Sequence, residues 1–405
     1  MRNPVFLVGA FAVALVFTLM GFMAPASVLG AIIKDWDLSN AEAGWVGGAL
    51  FAGYIATVPV LTAWTDRIDP KRIYLCSAAI GALGNLGVAF IADGLWSGVV
   101  FRVLTGIGLA GTFMPGLKAL TDQLPEGKAQ QRGATYYSSF FALGSGLSIL
   151  IAGVTADFLD WRWAFIFAGC GGIAALLIVS IVLPAKQAKP TDIQDAPPAL
   201  NFGPIFRDRA IMAYVVASLG VAWEVFTSRV WLVTFFFFVQ DLVPDKDIGW
   251  SPAIWSTVVA LVGVPAAMVI GELSVRYDRA RILSTVAAFS AGLCVAIGFS
   301  NDLAYEYVLL ICIVFGMTSY GRSASTTAGT IAVAPPERRG AALAVQAFVG
   351  FSGGILGPLA FGIALDVVGG NTAQNAWVVA MCVMAVGPVL TILALLGSGK
   401  SRRSD

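Results

Sequence analysis

Twelve apolar stretches of about 20 residues follow one another along this chain of 405 residues and limit the folds open to it. They lie at 5–33, 43–64, 73–93, 97–118, 133–154, 162–184, 210–239, 252–273, 282–299, 305–331, 341–367 and 376–397. Such a stretch is typical of a helix that crosses a lipid bilayer, because a helix hydrogen-bonds its own backbone where no water is present. Only 12% of the residues are charged, about half the usual share in soluble proteins. The sequence therefore predicts an all-α membrane protein with twelve transmembrane helices.

The basic residues between these stretches are distributed unevenly. Of the 25 Lys and Arg residues, 19 fall on one side of the predicted membrane, three on the other side and three within the apolar stretches. Short cytoplasmic loops carry an excess of Lys and Arg, and one missed helix would invert every later loop. The asymmetry supports the count of twelve. It predicts a multi-pass protein of a bacterial-type cell inner membrane, with both termini in the cytoplasm.

The chain divides into two halves that resemble each other. The hydrophilic stretch at 185–208 has no apolar period, and we expect it to be a cytoplasmic linker between 1–184 and 209–405, the second half ending in a short basic tail. Basic loops follow the second and the eighth stretches, and Arg-Gly-Ala opens both the fifth and the eleventh. Paired six-helix halves predict two pseudo-symmetric bundles that transport by alternating access around a midplane site.

Two motifs carry a resemblance to a known family. The loop after the second stretch matches the charged positions of the signature Gly-x-Leu-Ala-Asp-Arg-x-Gly-Arg-Arg at Asp66, Arg67, Lys71 and Arg72, with Thr62 and Asp69 in place of its glycines. The fourth stretch has an arginine followed by spaced glycines, at Arg102, Gly106, Gly108 and Gly111. Over essentially its whole length the chain resembles the major facilitator superfamily (MFS) of secondary transporters.

The resemblance implies functional roles for several positions. In that family the charged cytoplasmic loop locks the outward-facing state, so Asp66, Arg67 and Arg276 are implied gating residues. The alternative for the basic residues is that they only set the topology. The family's first, fourth, seventh and tenth helices line a central cavity.

Three arginines, Arg102, Arg229 and Arg322, lie deep inside the fourth, seventh and tenth stretches. A charge at that depth costs at least about 2.5 to 3.5 kcal/mol, so each must face protein, water or a ligand. A guanidinium matches the geometry of a carboxylate or phosphate and stays protonated. We therefore predict a small anionic substrate bound by Arg229 and Arg322, with Arg102, Tyr320 and Trp223 nearby. The alternative is a structural ion pair between Glu224 and one of the arginines.

Glu224 is the best proton carrier within the apolar stretches, since the chain has no histidine. Glu224 and Arg229 are five residues apart and lie roughly 140° apart around a helix. Either each pairs with another helix, or the seventh helix is unwound near Thr227 and Ser228. Two further positions stay open: Trp231 is an interfacial anchor or a pocket residue, and Lys118 faces the cavity only if its helix extends past Thr121.

These features predict a secondary transporter that imports a small organic anion with protons. The first alternative is proton-coupled efflux of a drug or metabolite, which the missing proline in the fifth stretch and the uncharged first stretch disfavour. A non-transporting receptor would require a large soluble domain, and an enzyme would require clustered nucleophiles, bases or metal ligands. We expect no cofactor, no metal and no nucleic acid partner. The expected partners are the anion, protons and membrane lipid, and we expect a monomer.

Overall fold

The computed structural model describes residues 4–65, 67–125, 128–183, 202–242, 249–300 and 303–399, and these are helical almost throughout. The helices are α1 Pro4–Leu19, α2 Ala24–Trp36, α3 Asn40–Trp64, α4 Pro70–Phe90, α5 Leu95–Thr121, α6 Lys128–Phe158, α7 Arg162–Val182, α8 Gly203–Arg207, α9 Arg209–Asp241, α10 Pro252–Leu261, α11 Gly263–Arg276, α12 Arg279–Gly298, α13 Tyr305–Val333, α14 Arg339–Val367, α15 Gln374–Met384 and α16 Val386–Gly399.

Twelve helices long and apolar enough to cross a membrane occur in the described part of the chain, which confirms the predicted count. Three of them are interrupted: α1 with α2, α10 with α11, and α15 with α16 each form one span. The remaining spans are single helices, and α8 is a short helix before the seventh span. The chain is therefore a multi-pass, all-α membrane protein.

The first span is interrupted where proline prevents a continuous helix. Pro25 lies at the start of α2 and has no N–H to donate to the carbonyl of Gly21. The next N–H, that of Ala26, donates instead to Met23 O at 3.0 Å. The carbonyls of Gly21 and Phe22 thus lose their helical donors and need other partners.

Most of the predicted linker, up to residue 201, lies outside the described residues. Its last part contains α8, and Asp208 then caps α9 by accepting hydrogen bonds from Ala210 N at 2.9 Å and Ile211 N at 3.1 Å. A carboxylate at this position satisfies N–H groups that the first turn leaves without partners.

The chain folds into two compact units. Unit 1 contains residues 1–37 and 49–196, and unit 2 contains 38–48 and 197–405. Within unit 1, α4 packs on α5 and α7, while α1 packs on α6 and α7. Within unit 2, α9 packs on α14, α16 and α13, and α12 packs on α13 and α16. Helix α9 is thus central to the packing of unit 2, and it carries Glu224 and Arg229.

Candidate functional site

Glu224 of α9 and Arg322 of α13 form a salt bridge inside unit 2, and neither side chain is exposed. The hydroxyl of Ser290 on α12 donates to Glu224 Oε1 at 2.5 Å, and Thr318 Oγ1 lies 3.0 Å from Ser290 Oγ. Arg322 Nε donates to the carbonyl of Thr318 at 3.0 Å. The ion pair that the sequence left as an alternative is therefore present, and hydrogen bonds from two further side chains extend it across three helices.

Helix α9 is continuous through this region, from Arg209 to Asp241. The predicted unwinding near Thr227 and Ser228 is wrong, and the other option, a pair that reaches across to a neighbouring helix, is the one present for Glu224. The segment between Glu224 and Arg229 contains neither Gly nor Pro, so nothing in it interrupts the helical hydrogen bonds.

Burying both charges of such a pair costs several kcal/mol per ion, and only good geometry and further hydrogen bonds offset that cost. Here the compensation is incomplete. Arg322 Nη1 is buried and finds no hydrogen-bond acceptor among the described residues, and the hydroxyls of Thr227 and Ser319 are likewise buried without a partner there. The surroundings of the pair thus keep unused hydrogen-bonding capacity.

Arg229 lies on a different side of α9 and is half-buried. Its guanidinium carbon is 5.0 Å from the ring centroid of Tyr320 and 5.8 Å from that of Phe226. The hydroxyl of Tyr320 lies 3.2 Å from Ser228 Oγ, and the Phe226 ring is 6.0 Å from the ring of Phe351 on α14. We call these five residues, Phe226, Ser228, Arg229, Tyr320 and Phe351, the Arg229 site.

Tyr320 is placed by the break between α10 and α11. Gly263 begins α11, and a Cβ at Gly263 would collide with the Cβ of Tyr320. Only glycine allows this approach. Tyr320 and Arg322 are two residues apart on α13 and therefore face different directions, so Tyr320 meets Arg229 while Arg322 meets Glu224.

Arg102 of α5 lies in unit 1 and is only 1% exposed. Its two terminal nitrogens donate to Gly21 O at 2.7 Å and to Phe22 O at 2.9 Å, the two carbonyls released by the break between α1 and α2. Substrate binding by Arg102 stays a prediction, and the contacts themselves describe a structural role.

The two tryptophans of α9 also contact backbone. Trp223 is half-buried and its indole N–H donates to Val383 O at 3.1 Å. Trp231 is buried inside unit 2, where it donates to Pro358 O at 3.0 Å and stacks on Phe361. Trp231 is thus a packing residue of the unit interior.

The predicted gating residues lie outside this cluster. Asp66 falls outside the described residues, and Arg67 is exposed. Arg276 is exposed near the end of α11 and donates to Glu272 at 2.7 Å within the same helix. Lys118 is half-buried in the last turn of α5, which ends at Thr121 and so does not extend further as its cavity-facing placement required.

Sequence reasoning missed four residues of this region, namely Ser290, Thr318, Phe226 and Phe351. They are ordinary residues of apolar stretches, and only the rotation of α9, α12, α13 and α14 about their axes decides which of them meet. The deep charges supplied a signal that Glu224 needs partners. No comparable signal distinguishes Ser290 from the other hydroxyls in the spans.

A sequence model of the Major Facilitator Superfamily matches residues 9–358 and 244–404, which together cover most of the chain. The chain belongs to the major facilitator superfamily. As a superfamily member with this fold it is a transporter and not an enzyme.

Relatives within the MFS share about a quarter of its residues. The gentisate transporter of Corynebacterium glutamicum is 24% identical over 344 residues, which are 84% of this chain and 76% of the relative. The voltage-gated purine nucleotide uniporter SLC17A9 of Rattus norvegicus is 25% identical over 405 residues, covering 93% of this chain and 85% of the relative. Among solved structures, a bacterial homolog of the human lysosomal transporter Spinster, inward-facing and unoccupied, aligns with a TM-score of 0.80 and 15% identity over 99% of this chain and 98% of that chain. The last likeness shows the MFS fold.

Proposed function

We propose that this MFS transporter imports a small organic anion together with protons, with Arg229 binding the anion and Glu224 carrying the proton. The observation that carries the proposal is the division of the deep charges in unit 2. Glu224 is paired with Arg322, both fully buried, whereas Arg229 is half-buried beside Tyr320.

The chemistry of Arg229 favours an anion with a carboxylate. Its planar guanidinium matches a carboxylate, and the ring of Tyr320 packs beside that cation. The carboxylate of Glu224 is engaged by Arg322 and is not a printed partner of Arg229. Gentisate and purine nucleotides, which the names of two relatives give as substrates, are both anions.

The Glu224 and Arg322 pair supports a coupling role. A proton on Glu224 removes its charge and ends the ionic part of the contact, after which Arg322 needs other acceptors. The buried hydroxyls of Thr227 and Ser319 are unused hydrogen-bonding groups on the same two helices. Two arrangements of one pair, chosen by one proton, are what a coupling element requires. We accordingly place Arg322 in coupling and not in substrate contact. The inner membrane location, the cytoplasmic termini and gating by Asp66, Arg67 and Arg276 belong to the same proposal.

Removal of the charge at Arg229 tests the anion site. A saturating small carboxylate at about 100 times its Kd adds about 2.7 kcal/mol to the stability of the purified protein, and we expect an Arg229→Gln variant to lose most of this gain. A hydrogen bond to a charged group contributes about 1.5 to 3 kcal/mol, so the Kd weakens by about 10- to 100-fold. Thermal unfolding in detergent with carboxylates, phosphates, inorganic oxyanions and organic cations measures this. Arg281→Gln, at an exposed position on α12, is the matched control. Stabilisation by lipophilic cations alone would contradict the proposal and restore drug efflux.

Neutralising Glu224 tests proton coupling. In vesicles reconstituted with a Glu224→Gln variant, an inwardly directed proton gradient is expected to give no acceleration of anion uptake, because the residue that takes the proton is gone. Exchange of labelled for unlabelled anion across the same vesicles continues, since exchange needs no net proton movement. The control is Glu272→Gln, which removes an exposed carboxylate paired with Arg276 on α11. Gradient-driven uptake that survives in Glu224→Gln would end the assignment.

A further inference from the structure

We infer that the Arg229 site selects carboxylates that are attached directly to an aromatic ring. The inference rests on the proposed anion binding at Arg229 and narrows its substrate class. It is carried by the rings that surround that one cation.

Aromatic rings from three helices lie around Arg229. Tyr320 comes from α13 and Phe226 from α9 itself, with centroids 5.0 and 5.8 Å from the guanidinium carbon. Phe351 of α14 extends the aromatic surface, since its ring lies 6.0 Å from Phe226 at an angle of 35°. A ligand held by its carboxylate at Arg229 therefore has ring faces and ring edges as its nearest neighbours.

The rings are held in place before any ligand binds. Tyr320 is fixed by its contact with Ser228 Oγ at 3.2 Å and by the close approach of Gly263. Phe226 is only 8% exposed, so its ring has little freedom to turn away. Binding to such a prearranged surface requires little further ordering of side chains, which favours a ligand whose shape matches it.

The length of the ligand follows from the same arrangement. Phe226 is three residues before Arg229 on α9, so the rings begin within one helical turn of the guanidinium. A ring bonded directly to the carboxylate reaches them, and its π face makes offset or edge contacts at centroid distances of about 4.5 to 7 Å. A saturated ring of similar size carries the same charge but lacks the quadrupole that orients these contacts.

The test compares two carboxylates that differ only in aromaticity. Benzoate and cyclohexanecarboxylate each place one carboxylate on a six-membered ring. We expect benzoate to bind the full-length purified protein more tightly, by about two- to tenfold for each ring it contacts. Calorimetric titration of wild-type protein and of a Phe351→Leu variant gives both Kd values. In the variant the ratio of the two Kd values moves towards one.

Phe348→Leu is the matched control, because Phe348 lies one turn earlier on α14 and is 59% exposed. Its ratio of Kd values is expected to equal that of the wild type. Equal affinity for both carboxylates in the wild type, or an unchanged ratio in Phe351→Leu, overturns the aromatic preference and leaves anion binding intact. Failure of both carboxylates to bind, or binding that survives in Arg229→Gln, contradicts the proposed anion site itself, and the preference with it.

Discussion

An Arg322→Met variant is expected to be less stable than the wild type by about 3 to 5 kcal/mol, because it leaves the charge of Glu224 buried without a partner. Glu224 has no exposed surface through which water could replace the lost cation, and its remaining donor is the hydroxyl of Ser290. Methionine fills much of the volume of arginine, so the loss measures charge and hydrogen bonding more than packing. Thermal unfolding in detergent, followed by tryptophan fluorescence, gives the difference.

A double-mutant cycle separates the pair from its two members. Glu224→Gln combined with Arg322→Met leaves no buried charge, and we expect this double variant to be more stable than Arg322→Met alone. The exposed pair Arg276 and Glu272 is the control, since an Arg276→Met variant loses about 1 kcal/mol or less. Equal losses in the single and double variants would mean that Glu224 is not charged when paired, and coupling through this pair would then need another source.

The stability of Glu224→Gln alone bears on mechanism. Gln has the size of a protonated glutamate, and the variant therefore resembles the state in which Glu224 has taken its proton. Its destabilisation measures the free energy that proton uptake has to overcome in this conformation. A small value favours easy release and uptake, and a large one requires that substrate binding or a change of conformation separates Glu224 from Arg322 first.

The fold was predictable and the pairing was not, for a physical reason. Length and polarity identify a membrane helix without any knowledge of its neighbours, which is why the twelve spans followed from the sequence. Glu224 and Arg322 are 98 positions apart, and their contact depends on the rotation and depth of α9 and α13. Deep charge signalled that partners exist, and five-residue spacing correctly separated Glu224 from Arg229. Whether Arg322 meets a carboxylate or a ligand is decided by packing alone.

The two units treat a deep arginine in corresponding helices differently. In unit 1 the fourth span sends Arg102 to two backbone carbonyls of the interrupted first span. In unit 2 the tenth span, the fourth of its half, sends Arg322 to a carboxylate on the continuous seventh span, the first of its half. A carbonyl cannot take up a proton under physiological conditions and a carboxylate can. The repeated architecture thus gives one fixed contact and one that a proton can break, which assigns coupling to unit 2.

An Arg102→Met variant is accordingly expected to lose stability in unit 1, with no direct effect on coupling chemistry. It leaves the carbonyls of Gly21 and Phe22 buried without donors, and each unsatisfied group costs about 1 to 3 kcal/mol. Thermal unfolding measures the loss, which we expect to reach about 2 to 6 kcal/mol for the two groups together. The exposed Arg162, paired with Asp35, is the control, and Arg162→Met is expected to lose about 1 kcal/mol or less.

A second substitution shows whether the released carbonyls are the cause. Pro25→Ala restores an N–H at the position from which a continuous helix would donate to Gly21 O. In that background Arg102→Met should therefore cost less than in the wild type, because one of its two carbonyls regains a donor. Losses that simply add would show that Arg102 stabilises unit 1 by packing or charge and not by serving the interrupted first span. The sign of the coupling energy between residues 25 and 102 decides between these two accounts.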